Sequence, residues 1–321
     1  MKTKILIAFA LVYLVWGSTY LAIRVAVETI PPFLLAGTRN LVAGAVLLAV
    51  TRWWRSGPRR PSRWNGRQLW QGALVMGFLM FVLGNGILSW VETRMDSGLA
   101  ALIVGCIPLF VVVIERVKWW GERRALTPQK TIGVLVGIGG LALLVAPGAS
   151  GAGVRIDALA AGALLLGALG WAIGTVAGRE LPHPEDKIES AAMTMLAGGA
   201  LITLVAAFTG EFRAFDIGRV SAQGVLAWAY LVVFGSMITY SAYAWLVATV
   251  EASTLATYAL VNPVVAVILG WALVGERLTG RMLLAAAVIL LGLGLTLFGQ
   301  KWGEVAVRVL PLRSLGLKKA A

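Results

Sequence analysis

The chain has almost none of the residues that catalysis and metal binding need. One His, His183, and one Cys, Cys106, occur among its 321 residues, so no His/Cys spacing is available to hold zinc. A lone thiol forms no internal disulfide, and Cys106 lies in an apolar run, so it carries no information on redox compartment. No paired carboxylates fall inside an apolar run, and no nucleophile stands beside a base, which argues against an intramembrane enzyme. Neither a cofactor nor a metal is expected. Charge is sparse as well: 13% of residues are Asp, Glu, Lys or Arg, against about a quarter in an ordinary soluble domain. No small-x-small cleavage site follows the apolar stretch after Lys2 and Lys4, so the first helix is expected to be retained.

What fills the chain instead is apolar: 59% of residues are hydrophobic and the mean hydropathy is +0.84. A helix needs about 20 apolar residues to cross a hydrocarbon layer of ~30 Å. Runs bounded by Arg, Gly and Pro clusters predict ten spans, near 5–27, 33–52, 69–91, 97–119, 129–147, 157–178, 188–209, 222–247, 253–275 and 281–300. No connection between them is long enough for a soluble domain. The net charge of +13 does not point to nucleic acid, because Lys and Arg are confined to the connections and form no aromatic-interleaved basic domain. With the N-terminus inside, the inner segments hold 20 of the 28 basic residues and the outer ones hold 6. Cytoplasmic loops carry such an excess, so both termini are expected in the cytoplasm.

Laid on itself at an offset of 155, the chain repeats. Trp16 falls on Trp171, Arg24 on Arg179, Ala36 on Ala191, Gly44 on Gly199, Trp90 on Trp245, Asp96 opposite Glu251, Ala101 on Ala256 and Pro108 on Pro263. With a one-residue slip, Gly121-Glu122-Arg123 matches Gly275-Glu276-Arg277. An odd number of spans per copy makes the second enter the membrane from the opposite side. The expected fold is therefore an all-α polytopic membrane protein, its ten transmembrane helices forming two inverted-topology five-helix repeats around a central cavity. The units are 1–150, 151–300 and a basic amphipathic cytoplasmic tail, 301–321. In that tail Trp302, Val305, Val309 and Leu312 recur at helical spacing beside Arg308, Arg313, Lys318 and Lys319, as on a helix lying on an anionic leaflet. Alternating access is the mechanism such symmetry serves. A duplication that only made a stable bundle is the plainer reading.

Trp16-Gly17-Ser18-Thr19-Tyr20, Gly84-Asn85-Gly86, Pro108, Gly121-Glu122 and Tyr258 through Pro263 followed by Gly275-Glu276 resemble the drug/metabolite transporter superfamily, EamA type. The resemblance covers about residues 5–300 and both repeats. It implies a ten-helix carrier with a central cavity, commonly an exporter of amino acids, other metabolites or drugs, in the cytoplasmic membrane of a bacterium. The expected partners are a small-molecule substrate and the bilayer, with a monomer favoured over a homodimer. A lipid flippase or a non-transporting scaffold is the alternative.

Depth selects the candidate site. At a rise of 1.5 Å per residue, Trp16 to Tyr20 lie roughly 16–22 Å along the first span, and Pro108 and Pro263 about 15 Å into theirs. Proline there frees a carbonyl or lets the helix bend. Asn262 adds a polar side chain where its repeat mate is Ile107; it meets solute or ties one helix to another. Trp16, Trp171, Tyr240, Tyr243 and Tyr258 are candidate cavity walls, offering aromatic area and cation–π attraction, and their alternative is interior packing. Ser18, Thr19 and Thr175 are candidate hydrogen-bonding groups, although small hydroxyls also serve helix contacts. Asn85 and its mate Tyr240 are candidate outer and inner gate elements. Arg39 sits some 10 Å below the outer face by helical rise, where an ionised group is expensive unless paired or hydrated. It meets a substrate carboxylate or, as the favoured reading, pairs with Glu28. No Asp or Glu falls near the centre of a span, which argues against a carboxylate proton relay and leaves facilitated diffusion open. Gly133 and Gly137, with Gly292 and Gly294, predict tight packing of spans five and ten.

Overall fold

In lipid every backbone N–H and C=O must be satisfied within the chain, and a run of apolar residues does this only by coiling into helix. The computed structural model describes residues 2–53, 63–116, 128–145, 157–178, 180–250, 255 and 258–309, with the side chains of 115, 116, 130, 145, 247, 248 and 297 onward left out. Among these residues all regular structure is helical. The main helices are α1 (Lys2–Ala26), α2 (Pro32–Trp53), α3 (Gly66–Val91), α4 (Ser97–Val104 continuing as Ile107–Arg116), α5 (Pro128–Val145), α6 (Ala158–Ala177), α7 (Lys187–Phe208), α8 (Ala222–Leu246), α9 (Tyr258–Val274) and α10 (Gly280–Val309). Seven of them are long and apolar enough to cross a membrane by length and composition, and α5, α9 and α10 contribute shorter apolar stretches. Repeat mates Arg179, Glu251 and Ala256, the Gly121-Glu122-Arg123 motif and the tail's side chains lie outside the described residues.

Capping residues fix where the helices start. Asn65 and Gln68 form a reciprocal capping box at α3, with bonds of 2.9 and 3.0 Å. Asp157, Asp186 and Ser221 each accept backbone N–H bonds at the first turn of α6, α7 and α8. Each cap satisfies donors that the helix itself cannot. Gly210 and Gly275, at φ 78° and 68°, turn the chain out of α7 and α9 in the left-handed conformation that glycine reaches without strain.

Helix pairing follows the small residues. α2 packs on α7 and α5 on α10. A Cβ on Gly44 would stand 2.9 Å from the Leu196 nitrogen, and one on Gly199 2.8 Å from the Leu41 nitrogen. At α5 and α10, Gly292 lies directly on Gly137, and a Cβ on Gly133 would stand 2.6 Å from the Thr296 nitrogen. Such backbone approach is how helices associate where hydrophobicity cannot distinguish protein from lipid. α1 packs on α8 and α9, α6 on α3 and α4, and α4 on α9. Leu135, Leu159 and Leu226 are 64–70% exposed on the outside of the bundle, as lipid-facing side chains should be.

The helices around the centre are irregular. π-helical turns interrupt α1 at Leu11–Val15, α3 at Gly77–Gly86 and α8 at Leu231–Thr239. The offset of 155 carries the second of these almost onto the third. Wide turns of this kind leave carbonyls without their usual donors and recur at functional sites. α4 breaks at Gly105-Cys106: Pro108 offers no N–H to the Val104 carbonyl, and the Cys106 nitrogen bonds Ile103 O at 3.1 Å instead. α9 carries Pro263 inside a continuous helix.

Candidate functional site

Two aromatic residues from opposite halves anchor the middle of the bundle. The rings of Trp16 and Trp171 meet edge to face at 6.0 Å. Trp16 also lies 5.0 Å from Tyr243 and 5.7 Å from Tyr258, centroid to centroid. Phe81 joins the group 5.3 Å from Tyr240. The tilted and edge-on geometries are those that aromatic quadrupoles prefer. Trp16 is held in place by its indole N–H, which donates to the Gly235 carbonyl at 3.1 Å, inside the π-helical stretch of α8.

All of these rings except Tyr243 wall a cavity of about 90 Å³ whose lining includes Trp16, Thr19, Tyr20, Arg39, Asn85, Trp171, Tyr240, Tyr258 and Asn262. Ile107, Tyr240 and Tyr258 also border a second, larger cavity of about 470 Å³. That vestibule reaches the connection between α6 and α7 and is lined there by Pro182, His183 and Lys187. Thr175, Tyr243 and Pro108 face the vestibule, not the smaller cavity. Pro263 is buried, its ring against Gly105. Asn85 and Tyr240, the expected outer and inner gate elements, line one and the same small cavity, with Tyr240 at its border with the vestibule.

Two residues have surroundings other than those expected. Ser18 lines neither cavity. Its hydroxyl lies 2.6 Å from the Tyr230 hydroxyl and donates to the Val15 carbonyl at 2.8 Å, so it joins α1 to α8. Arg39 does not pair with Glu28, which is exposed. The carboxyl group within electrostatic reach of Arg39 is that of Glu92, the residue that ends α3. Glu92 is fully buried, although the sequence places it in a connection. Asn262 has a clear packing duty: with its amide nitrogen assigned toward α1, it donates to Val12 O and Tyr13 O at 3.1 Å each and to Tyr258 O at 3.3 Å. The first two carbonyls lie in the π-helical turn of α1, which loosens the normal ladder. Lining residues without a marked sequence signal include Phe81, Leu88 and Ser236.

Beyond the small cavity the bundle closes on charged groups. Arg24 Nη1 donates to the Glu92 backbone carbonyl at 2.6 Å. Glu276 accepts from Ser97 N at 2.7 Å, Ser97 Oγ at 2.6 Å and Gly98 N at 3.0 Å, so a carboxylate from the connection after α9 caps α4. Burial, with the nearby Glu276, pushes the Glu92 carboxyl well above the usual range, while Arg39 and Arg24 pull it down. Burial also raises Asp96. Asp157, partly exposed at the start of α6, is held below the usual range by the N–H groups it caps and by Arg94, whose Nη1 lies 3.1 Å away.

A model described as the EamA-like transporter family matches residues 3–146 and again 158–298. The "Uncharacterized inner membrane transporter YedA" of Escherichia coli (strain K12) is 35% identical over 295 residues, covering 91% of this chain and 90% of that one. The "Probable amino-acid metabolite efflux pump" of the same organism is 26% identical over 307 residues, covering 93% and 96%. A solved crystal structure aligns over 94% of this chain and 99% of its own with a TM-score of 0.63, at 20% identity, and so speaks to the fold alone. Twice matched by one family model and aligned with its relatives almost end to end, the chain belongs to the EamA-like transporter family.

Proposed function

We propose that the chain is a secondary transporter that moves a small organic metabolite, an amino acid, related metabolite or drug-like compound, by alternating access at the cavity between Trp16 and Trp171. The observation that carries this reading is the cavity's asymmetry: it adjoins a vestibule at one end and meets packed, charged groups at the other. A carrier caught open to one side has that shape. A scaffold has no use for a hollow centre. Helix pairing supports two inverted five-helix repeats, because exchanging the halves maps α3 on α6 onto α8 on α1, and α4 on α6 onto α9 on α1. With the basic connections in the cytoplasm, both termini and the vestibule face inward, and the chain resides in a bacterial inner membrane, as the name of the YedA relative suggests. Export is the direction the efflux-pump relative suggests.

Reconstitution tests this. Purified protein in liposomes is expected to move at least one class from a panel of amino acids, organic acids and cationic drugs, measured with and without a pH gradient. No flux for any class sinks the carrier reading.

A further inference from the structure

Two buried ionisable side chains lie toward the closed end of the bundle: Arg39 on the wall of the small cavity, and Glu92 about one helical turn beyond the lining residue Leu88 and off the wall itself. Arg39 is 5% exposed and lines the cavity, and among the described residues its Nε has no hydrogen-bond partner. Glu92 is 0% exposed, and among the described residues neither carboxyl oxygen has one. The groups facing Glu92 are Tyr20 and Arg24 on α1, Arg39 on α2 and Glu276 after α9. Two of these are already engaged: Arg24 bonds the Glu92 main chain, and Glu276 caps α4. Arg39 is left as the cation that lines the cavity and has a donor without a partner among the described residues.

Buried polar groups are nearly always bonded, and an unpaired buried charge is costly, so two such groups within electrostatic reach of each other need a reason. One arrangement satisfies both. An oxyanion entering the cavity takes the guanidinium in the charge-assisted, two-pronged manner that arginine favours. Glu92 then no longer has a cation to balance and is best neutral. With the cavity empty, and at a pH high enough for the raised carboxyl to release its proton, an ionised Glu92 balances Arg39 instead.

We propose that Arg39 receives the carboxylate of a small solute with an aromatic or apolar body, and that Glu92 takes up a proton as that anion binds, so that solute and proton cross together. This rests on the carrier reading. The charges balance: one anion and one proton enter, Arg39 stays cationic, and the loaded and empty sites carry the same net charge. The only bond formed is the O–H of Glu92; the bond broken is an O–H of hydronium or of a buffer acid in the aqueous phase, which is left as water or as the buffer base. Moving a neutral load avoids the cost of carrying an ion through the bilayer centre. The solute and proton gradients together set the direction.

The test uses the purified full chain in detergent. Phenylacetate, benzoate and indole-3-acetate are the anionic probes, with phenethylamine and benzyl alcohol as cationic and neutral controls. Calorimetry in buffers of different ionisation enthalpy reads affinity and proton uptake together. At least one anion is expected to bind about tenfold or more tighter than either control, with about one proton taken up per anion. Glu92→Gln, a near-isosteric stand-in for the protonated acid, should keep binding and lose both proton uptake and pH dependence. Arg39→Gln should weaken anion binding about 30-fold or more, and Arg39→Lys less, since lysine keeps the charge and loses the fork. Size-exclusion profiles check that the variants fold. Failure of all three anions to bind, binding without proton uptake, or uptake that persists in Glu92→Gln overturns the proposal. Flux of an anion in liposomes that ignores pH overturns it and leaves the carrier reading intact. Binding with proton uptake but no flux of any solute keeps the paired site and removes the carrier reading.

Discussion

The two ends of the central cavity are built from opposite materials. Toward the α6–α7 connection the walls carry hydroxyls, prolines and the ionisable His183 and Lys187, around a space of about 470 Å³. Toward the α3–α4 connection the space ends on Ile23 and Leu88, behind which Glu276 caps α4 and Arg24 holds the end of α3. Groups of the first kind tolerate water and need nothing from one another. Those of the second kind are bonded across elements, so opening that end requires several bonds to break together. One end is a vestibule and the other is a lock.

The largest effect separating the two ends should appear in chemical accessibility. In a Cys106→Ala background, a cysteine at Thr175 faces the vestibule and one at Ile23 faces the closed end. A state costing a few kcal/mol is populated at 0.1–10%. A membrane-impermeant maleimide should therefore label Thr175→Cys roughly 10- to 1,000-fold faster than Ile23→Cys. Equal rates would remove the distinction between the ends.

Weakening the lock sharpens the same contrast. Glu276→Gln trades a carboxylate accepting three bonds for a neutral amide, and charge-assisted bonds contribute about 1.5–3 kcal/mol each. Partial loss of that order should raise labelling at Ile23→Cys by about tenfold and leave Thr175→Cys unchanged. A rise at both positions would mean that the variant loosens the whole bundle and that Glu276 has no special place at the closed end.

How much of this was legible follows from which forces act locally. The spans are legible because lipid forces each apolar run into helix. Trp16 and Arg39 stand out by depth and Trp171 as the repeat mate of Trp16, and all three line the small cavity. The face of a helix that is apolar all round is not. Ser18 and Thr19 are neighbours in sequence, yet the first meets Tyr230 and the second lines the cavity. Glu92 was hidden for a different reason: hydropathy places it in a connection, and only the packing of α1, α2 and the α9–α10 connection around it makes it buried. The π-helical turns depend on partners such as Asn262, which is distant in sequence from the carbonyls it satisfies.

The smallest expected effect contrasts two carboxyl groups near this end of the bundle, one buried and one at the surface. Glu92 is pushed up by burial, so the folded protein holds its proton where the unfolded chain has released it. Stability then falls as pH rises above the ordinary glutamate pKa of about 4.3, by up to roughly 1.4 kcal/mol for each unit of displacement traversed. Asp157 is pulled down by its capping bonds and Arg94, so what it contributes is present above the ordinary aspartate value of about 3.9 and is lost only as pH falls below it. Thermal unfolding in detergent from pH 3 to 8.5 should show these opposite slopes. Glu92→Gln should flatten the decline between pH 5 and 8.5 by a few degrees, about the shift that 1 kcal/mol produces in a domain of this size. Asp157→Asn should change only the acid limb, and less, because an exposed ion pair is screened by water and salt. If Glu92→Gln left the alkaline limb as steep as in the parent, burial would not hold the Glu92 proton in the folded chain, and the contrast between the buried carboxyl and the one at the surface would be lost.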